Sequence, residues 1–259
     1  PEFEAKQIEV FGKMAEKGLI YKGMKPVYWC PFDQTALAEA EIEYSDETSP
    51  SIFVRFEMTS KPAGLENFDG PVDFIIWTTT PWTIPSDQAV SLKPGAAYVA
   101  VEHDGRAEVM LEDLAPKCCE EFGWEYTPVM VDGKPYVVPA ETFHHIHYKQ
   151  PIFDGVEGVA LLADYVGVDD GTGIVHNSPG HGVDDYFACL KEGITDICMP
   201  VDDDGKFYTG EEFGTGGPFS GMDTDEANPH IIEFLRERGT LVLEKKITHS
   251  YPHCWRCKH

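Results

Sequence analysis

The sequence is poor in long apolar runs and in basic side chains. No stretch of its 259 residues approaches the roughly 18 consecutive apolar residues that a membrane-spanning helix needs. Only 20 Lys and Arg stand against 45 Asp and Glu, so the formal net charge is -25. An acidic surface repels nucleic-acid phosphates at long range, which argues against a basic DNA-binding module. We therefore expect a cytoplasmic protein without a membrane partner.

Common motifs of nucleotide binding and nucleophilic catalysis are missing as well. The sequence has no P-loop, no dinucleotide fingerprint and no G-x-S-x-G elbow. Its first residues, PEFEAKQIEVF, do not resemble a secretory signal. Because the chain starts with Pro and its last residues, HCWRCKH, stop inside what resembles a motif, we expect a piece of a longer polypeptide.

The cysteines are odd in number and lack disulfide-like spacing, which indicates reduced thiols. They stand at positions 30, 118, 119, 189, 198, 254 and 257. Only Cys254 and Cys257 have the C-x-x-C spacing of a metal site, and one such pair is half of a zinc site.

Turn residues separate many short extended runs at intervals of about ten residues, a pattern typical of a β core. Helical spacing of apolar residues predicts a first helix that ends at Gly18. Further helices are predicted over 111–122, 183–191 and 228–238, the last with Asn228 as its cap and Pro229 at its first position. We predict an α+β fold with a β-barrel-like core and peripheral helices.

The densest polar stretch runs from Gly171 to Tyr186, GTGIVHNSPGHGVDDY. His176 ends a short predicted strand and Asp185 falls in the first turn of the next helix, so the intervening loop can bring both side chains to one pocket. The alternative is that Asp185 caps the helix and that His176 is a satisfied core residue. A zinc site of His176, His181 and Asp185 is a further alternative, although its spacing matches no standard zinc motif.

A second unusual stretch, WTTTPWT at 77–83, follows an apolar strand. Its threonines offer hydroxyl donors and acceptors, and prolines stiffen their path, so they are candidates to line a pocket. In the alternative interpretation the threonines pair only with nearby backbone.

Five segments in this order resemble the isoleucyl-tRNA synthetases. They are Trp29-Cys30, Thr35-Ala-Leu-Ala-Glu-Ala-Glu41, WTTTPWT, Gly171-Thr-Gly-Ile-Val-His176 with Pro179-Gly-His-Gly and Asp185-Tyr186, and His249-Ser-Tyr-Pro-His-Cys-Trp-Arg-Cys257. The resemblance covers essentially the whole chain and matches the editing (CP1) insertion of the catalytic domain. It implies one editing domain over 1–259, with 1–45 and 245–259 as the stalk to the catalytic domain.

The resemblance implies a hydrolase that deacylates valyl-tRNA(Ile), and also valyl-adenylate, within an isoleucine–tRNA ligase. Asp185 would bind the α-ammonium group of the misattached amino acid, and His176 would block the extra methyl group of isoleucine. The residues that would hold the terminal adenosine, the ester carbonyl and the attacking water are Thr78, Thr79, Thr80 and Thr83. Trp82 and Tyr251 would bound the pocket. None of these residues is an obvious strong general base, so hydrolysis would depend on orienting water, helped by a ribose hydroxyl.

The resemblance also implies partners and cofactors. The partners would be the rest of the synthetase chain and the acceptor end of tRNA(Ile) that carries misattached valine. ATP would be used by the parent synthetase, and we expect no cofactor and no metal for editing. We also expect the chain to be monomeric.

Two positions depart from the family pattern. Many relatives carry Asn where this chain has Asp87, to which the sequence assigns no role. Some relatives also pair an early C-x-x-C with the late one around zinc, whereas this chain has Cys30-Pro-Phe-Asp33. A zinc site of Cys30, Asp33, Cys254 and Cys257 is therefore an alternative, and the sequence favours no zinc.

Other functions stay open at this point. The chain is alternatively a silent module that binds the tRNA acceptor end, or the editing domain of the related valyl synthetase. A metal-dependent hydrolase built on His176 and His181 is the remaining reading.

Overall fold

The computed structural model describes all residues from 1 to 259. Four α-helices surround the strands: α1 (Glu2–Glu16), α2 (Ala115–Phe122), α3 (Val183–Lys191) and α4 (Thr224–Glu237). No helix combines the length and the apolar character needed to cross a membrane.

The larger of two main sheets has six strands. These are β3 (Ile42–Glu57), β4 (Val72–Thr78), β6 (Ala97–His103), β7 (Arg106–Leu111), β10 (Val137–Pro139) and β14 (Leu241–Cys254). Their order in the sheet is β10-β6-β7-β4-β3-β14. All neighbours are antiparallel except β4 and β7.

The smaller main sheet has four strands, in the order β11-β12-β5-β13. They are β5 (Ala89–Leu92), β11 (His147–Lys149), β12 (Glu157–Leu162) and β13 (Ile174–Asn177). Two separate ribbons are formed by β1 (Tyr28–Cys30) with β2 (Thr35–Leu37), and by β8 (Met130–Val131) with β9 (Lys134–Pro135).

The two main sheets share one apolar core of 40 buried residues. A single bridge from Met58 to Tyr148 links the end of β3 to β11, and β13 packs against β4. The sheets thus surround the core without closing into a barrel, because their edge strands β10 and β13 do not pair. The predicted α+β class with a β core and peripheral helices is confirmed.

A long two-stranded extension, called the outer ribbon, leaves this core. It consists of residues 42–51 of β3 and 245–254 of β14, paired antiparallel from Lys245 with Ser51 to Cys254 with Ile42. Strand β4 pairs with β3 only from Ile52 onward, so the outer ribbon has no third strand. Helix α1, which precedes the ribbon in the chain, has no buried residue.

Two helix boundaries differ from the sequence prediction. Helix α2 begins at Ala115 because Leu111 is still paired with Tyr98 in the sheet. Helix α4 begins four residues before Asn228, at Thr224, and Asp223 caps it by accepting a hydrogen bond from the Glu226 N–H at 2.8 Å.

Asn228 does not cap α4 because its side-chain oxygen accepts a hydrogen bond from the backbone N–H of Trp82, at 3.0 Å. Pro229 therefore lies inside the helix. Its ring removes one helical hydrogen bond there. The sequence also predicts a closing strand over 241–247, and the strand is longer than predicted, since β14 continues through the polar outer ribbon to Cys254.

Candidate functional site

The candidate site lies where β4 ends and where β5 and β13 meet. The register pairs Asn177, the last residue of β13, with Ala89, the first residue of β5. Residues just before β5 and just after β13 therefore share one end of the smaller sheet. Because β13 packs on β4, the threonines that follow β4 approach the same end.

The threonine stretch forms a tight turn. Thr78 ends β4, and residues Pro81–Ser86 make a 3-10 helix in which Thr83 is buried. The Thr78 hydroxyl oxygen accepts from the Thr80 N–H at 3.0 Å, and the Thr83 N–H donates to the Thr80 carbonyl at 3.2 Å. Some of the threonines thus pair with nearby backbone, as the alternative interpretation predicts. Thr79 lies partly exposed beside this turn.

His176 lies on β13 and connects this strand to the threonine turn. Its imidazole is only 7% exposed. Nε2 lies 2.8 Å from the Thr83 hydroxyl oxygen, and Nδ1 lies 2.9 Å from Oδ2 of Asp87. His176 is thus a buried histidine with hydrogen bonds on both ring nitrogens, one of them to a predicted site residue.

Asp87 is an acidic side chain in the core of the site, where only 1% of it is exposed. Oδ2 faces His176, and the Tyr148 hydroxyl donates to Oδ1. Burial raises the pKa of Asp87, and the hydrogen bond from His176 opposes that rise. Burial also raises the pKa of Tyr148 well above its usual value, so its phenol stays protonated at neutral pH.

Asp185 lies in the first turn of α3 and is held by residues next to His176 in the chain. Its Oδ1 accepts from the Tyr165 hydroxyl at 3.1 Å and from the Asn177 amide at 3.0 Å, and its Oδ2 accepts from the Ser178 N–H at 3.0 Å. A carboxylate has about four lone-pair positions, so room for one more donor remains. Asp185 does not cap α3, whose N-cap residue Gly182 makes no side-chain cap bond.

Gly182 explains part of the glycine-rich loop. A β-carbon at this position would lie 2.4 Å from Oδ2 of Asp185 and 2.7 Å from its Cγ. Any larger residue would have to displace the carboxylate. The absence of a side chain at 182 thus lets the loop pass against Asp185.

Trp82 and His181 form an edge of the site. Their rings meet edge-on with centroids 4.7 Å apart. Burial lowers the pKa of His181 to about 4, so its imidazole is neutral at pH 7. The ligand atoms of His176, His181 and Asp185 do not converge as metal ligands would.

Tyr251 lies elsewhere, on the outer ribbon. Its ring contacts those of His249 and His253, with centroids 5.6 and 5.8 Å away. No hydrogen bond or ring contact joins Tyr251 to the threonines, His176 or Asp185. The structure therefore brings together three predicted site residues of the two central motifs, Thr83, His176 and Asp185, and adds Asp87, to which the sequence assigned no role. These four residues are called here the pocket cluster.

Sequence reasoning assigned no role to the residues that hold this cluster. Asp87 was visible only as a departure from the family pattern. Tyr148, Tyr165 and Asn177 gave no signal, because their contacts to the cluster come from distant strands and loops.

A second group of polar side chains, called the cysteine cluster, lies at the end of the outer ribbon. Its four members are Cys30, Asp33, Cys254 and Cys257, whose ligand atoms all lie within 4.8 Å of one another. The Sγ atoms of Cys30 and Cys257 are 3.4 Å apart, and the Cys254 thiol is 3.4 Å from Oδ2 of Asp33.

The cysteine cluster fits a zinc ion, because three thiolates and one carboxylate are acceptable zinc ligands. A bound ion would tie the turn at 30–33 to the turn at 254–257 and would supply structural cross-linking rather than chemistry. The absence of zinc that the sequence favours stays a prediction.

The fold is that of a synthetase editing domain. The cytosolic leucyl-tRNA synthetase editing domain of Plasmodium knowlesi matches with a TM-score of 0.54 and 10% identity, covering 80% of this chain and 98% of that chain. The corresponding domain of Plasmodium falciparum matches with a TM-score of 0.53 and 11% identity, covering 75% of this chain and 98% of that chain. At these identities the likeness shows the fold alone.

Sequence comparison gives the family. The model for class I tRNA synthetases (I, L, M and V) matches residues 1–250, and the chain belongs to that family. It is 45% identical over 258 residues to the isoleucine–tRNA ligase of Enterococcus faecalis, and 43% identical over 254 residues to that of Acholeplasma laidlawii. These alignments cover 100% and 98% of this chain but 26% of each relative. The resemblance seen in the sequence motifs is confirmed.

Proposed function

We propose that the chain is an editing hydrolase that deacylates valyl-tRNA(Ile), and valyl-adenylate in the presence of tRNA. The observation that carries this proposal is the convergence of the two central motifs: Thr83 lies against His176, and the adjoining Asn177 and Ser178 hold the Asp185 carboxylate. The reaction would take place in the cytoplasm, within an isoleucine–tRNA ligase.

Asp185 binds the α-ammonium group of the misattached amino acid in this proposal. Three donors fix its carboxylate, and a charge-assisted hydrogen bond from the ammonium takes the remaining acceptor position. Fixing the carboxylate before substrate arrives reduces the ordering cost of binding.

His176 is the wall that separates valine from isoleucine. A pocket gains only about 1 to 3 kcal/mol from one methylene, and isoleucyl-tRNA synthetase is itself the usual example of this limit. An amino-acid binding site therefore accepts valine too often. A smaller second pocket solves the problem, because it admits valine and excludes the longer side chain.

The threonines hold the reacting ester. Thr79 and Thr80 lie partly exposed at the turn, where their hydroxyls make no internal hydrogen bond. They are suited to contact the terminal adenosine and the ester carbonyl, while Thr83 faces the attacking water. Trp82 bounds the pocket beside them, and Tyr251 would contribute only if the acceptor end reaches the outer ribbon.

The partners are the acceptor end of tRNA(Ile) and the rest of the synthetase chain. Helix α1 leaves Phe3, Ile8 and Phe11 exposed by 74%, 73% and 59%. Apolar residues in this number on one helix are suited to packing against further protein. In our proposal, residues 1–45 and 245–259 form the stalk to the catalytic domain.

A deacylation assay tests this function. The protein is incubated with valyl-tRNA(Ile), and release of valine is compared between wild type and Asp185→Ala. We expect Asp185→Ala to lower kcat/KM by about 100-fold, since about 2.7 kcal/mol of interaction is lost with the charge pair. Equal rates in the two proteins would favour the silent binding module.

Two further arms separate the remaining alternatives. His176→Ala is expected to lose selectivity: its rate on isoleucyl-tRNA(Ile) should rise relative to its rate on valyl-tRNA(Ile), because the wall has been removed. Treatment with EDTA is expected to leave the wild-type rate intact. Loss of activity with EDTA, restored by zinc, would instead indicate a metal-dependent hydrolase.

A further inference from the structure

A continuous chain of hydrogen bonds crosses the buried side of the pocket cluster. It runs from the Tyr148 hydroxyl to Asp87, from Asp87 to Nδ1 of His176 at 2.9 Å, and from Nε2 of His176 to the Thr83 hydroxyl at 2.8 Å. Its members are almost sealed from solvent, with Asp87, His176 and Thr83 exposed by 1%, 7% and 8%. Only the Thr83 end adjoins the other threonines, where the ester is placed by the proposed function.

The Asp87 carboxylate determines which nitrogen of the ring carries a proton. An ionised carboxylate only accepts, and Oδ1 already accepts from Tyr148. Nδ1 of His176 must therefore be the donor to Oδ2, which leaves the lone pair of the neutral ring on Nε2, facing Thr83. An amide at 87 would bring N–H donors and would also permit the opposite tautomer.

The Thr83 hydroxyl has two acceptors within reach and one proton to give. Nε2 of His176 lies 2.8 Å away and the carbonyl oxygen of Thr80 lies 2.9 Å away. When Nε2 is protonated it donates to Thr83, and Thr83 donates to Thr80. When Nε2 is free, Thr83 donates to it. The hydroxyl thus reorients with the protonation of His176, which is what a proton relay requires.

We propose that Asp87 is a positioning residue that turns His176 into the proton acceptor of the hydrolysis, with Thr83 as the relay. This inference rests on the proposed function and adds to it a base that the sequence motifs did not reveal. The Thr83–His176–Asp87 arrangement has the order of groups found in hydroxyl–histidine–carboxylate triads, here used to activate water instead of the hydroxyl itself.

The proposed step is balanced in atoms and charge. Water attacks the ester carbonyl carbon, its proton passes to the Thr83 oxygen, and the Thr83 proton passes to Nε2 of His176. The tetrahedral intermediate then breaks its bond to the ribose oxygen, which takes the proton back along the same route. The products are the free amino acid and tRNA with its terminal hydroxyl restored.

Several titratable groups around Asp87 and His176 are neutral at pH 7, so they add no charge beside these two residues. Burial lowers the pKa of His181 to about 4, which keeps that imidazole uncharged. Burial likewise raises the pKa values of Cys189 and Cys198 to about 12, and it raises the pKa of Tyr148 well above its usual value.

The remaining acidic groups at this site are Asp87 and Asp185. Asp185 is held by Tyr165, Asn177 and Ser178, and is reserved for the substrate ammonium. Asp87 is therefore the anion that contacts the ring and stabilises the imidazolium formed when Nε2 takes the proton. If His176 served only to block the isoleucine side chain, no buried carboxylate would be needed beside it. An uncharged acceptor would satisfy the Tyr148 hydroxyl and Nδ1 of His176 at a lower desolvation cost.

Asp87→Asn, which preserves the shape of the side chain, tests the inference. Deacylation of valyl-tRNA(Ile) is measured from pH 5.5 to 9. We expect kcat to fall on the order of 100-fold with KM within twofold, and the acidic limb of the wild-type profile to disappear. Tyr148→Phe is the matched control: it leaves the carboxylate and its bond to His176 in place, so the acidic limb should persist.

A second readout does not depend on activity. Nitrogen-15 NMR of His176 in the wild-type protein is expected to show the neutral ring protonated on Nδ1, and Asp87→Asn is expected to change that tautomer. Thermal denaturation confirms that both variants are folded. A wild-type rate and pH profile in Asp87→Asn, or an Nε2-protonated neutral ring in wild type, would overturn the inference. If wild type releases no amino acid at all, the proposed function fails, while the tautomer still decides the role of Asp87.

Discussion

The pocket cluster and the cysteine cluster are both built from residues far apart in sequence, but they are held in different ways. The pocket cluster lies between two sheets, where buried strands and a network of hydrogen bonds position each side chain. The cysteine cluster lies at the end of the outer ribbon, where two strands pair without a third and much of the surface is exposed. The difference teaches that packing between two sheets fixes the polar groups of the pocket cluster, whereas the cysteine cluster depends mainly on the register of a two-stranded ribbon and on two short turns.

Removing a buried ion pair of the core should have the largest effect. Arg106 donates to both oxygens of Asp73, at 2.8 and 2.7 Å, and Asp73 is fully buried. Arg106→Ala leaves that carboxylate unpaired, and we expect the free energy of unfolding to fall by about 3 kcal/mol in chemical denaturation. Lys258→Ala removes an exposed ion pair with Glu43 at the ribbon end, and it should change the free energy of unfolding by less than about 0.5 kcal/mol. Equal changes in the free energy of unfolding for the two variants would contradict the difference between the core and the ribbon end.

A methyl group placed next to the pocket cluster should impair activity more than stability. Gly182→Ala puts a β-carbon 2.4 Å from Oδ2 of Asp185, so the carboxylate has to move. We expect deacylation to slow by about 30- to 100-fold, because displacement of a positioned group by about 1 Å has effects of this size. Gly12→Ala, in the exposed helix α1 with nothing within 4 Å, is the control. A rate for Gly182→Ala equal to that control would show that the position of Asp185 is not critical.

The buried acid Glu108 should make stability depend on pH. Burial, followed by the nearby Asp73 charge, raises its pKa to about 7 from a usual 4.5. A raised pKa in the folded state stabilises the fold below pH 4.5, and this stabilisation is lost as the pH rises through 7.

Glu108→Gln isolates this contribution, since Gln keeps an acceptor for Arg55 and carries no charge. Between pH 4.5 and 7 the stability of wild type should fall relative to Glu108→Gln by about 3 kcal/mol, measured by urea denaturation at each pH. Parallel stability curves for the two proteins would contradict the raised pKa.

The smallest effect on the folded core is expected at the cysteine cluster. Asp33→Cys converts the ligand set from three thiols and a carboxylate to four thiols, so the variant should bind zinc more tightly than wild type, by at least about tenfold in a chelator competition. The rate of deacylation should not change, because the outer ribbon separates this cluster from the pocket. Cys118→Ser, outside the cluster, is the control for thiol content. Unchanged zinc affinity in Asp33→Cys would show that the four side chains do not act as one ligand set.

Local pattern was enough to predict several elements of the fold. Helices α1 and α3 follow from apolar spacing and from the glycines that flank them, because helix formation depends on residues three and four apart. The start of α4 could not be predicted, since Asn228 is used by Trp82 from a turn 146 residues away. The full length of β14 was missed because the outer ribbon is polar and its pairing partner is distant.

For the site, the two central motifs identified the region but not its internal connections. The motifs predicted that His176 and Asp185 share a pocket with the threonines. They gave no reason to place Asp87 against His176, because the two side-chain hydrogen bonds of Asp87 depend on the register of β5 with β13 and on Tyr148 from a third strand.

The sequence by itself determined the family, the α+β class and the residue types available for chemistry, because motifs and periodicity are local properties of the chain. Only the tertiary structure decided which of those residues touch. Hydrogen bonds between side chains require approach to about 3 Å, and such proximity follows from strand register and sheet packing across 90 or so residues, as between Thr83 and His176. Strand register also places Asp87 against Nδ1 of His176. The sequence showed only that Asp87 stands where many relatives carry Asn, whereas this contact gives it the role of setting the proton position on His176.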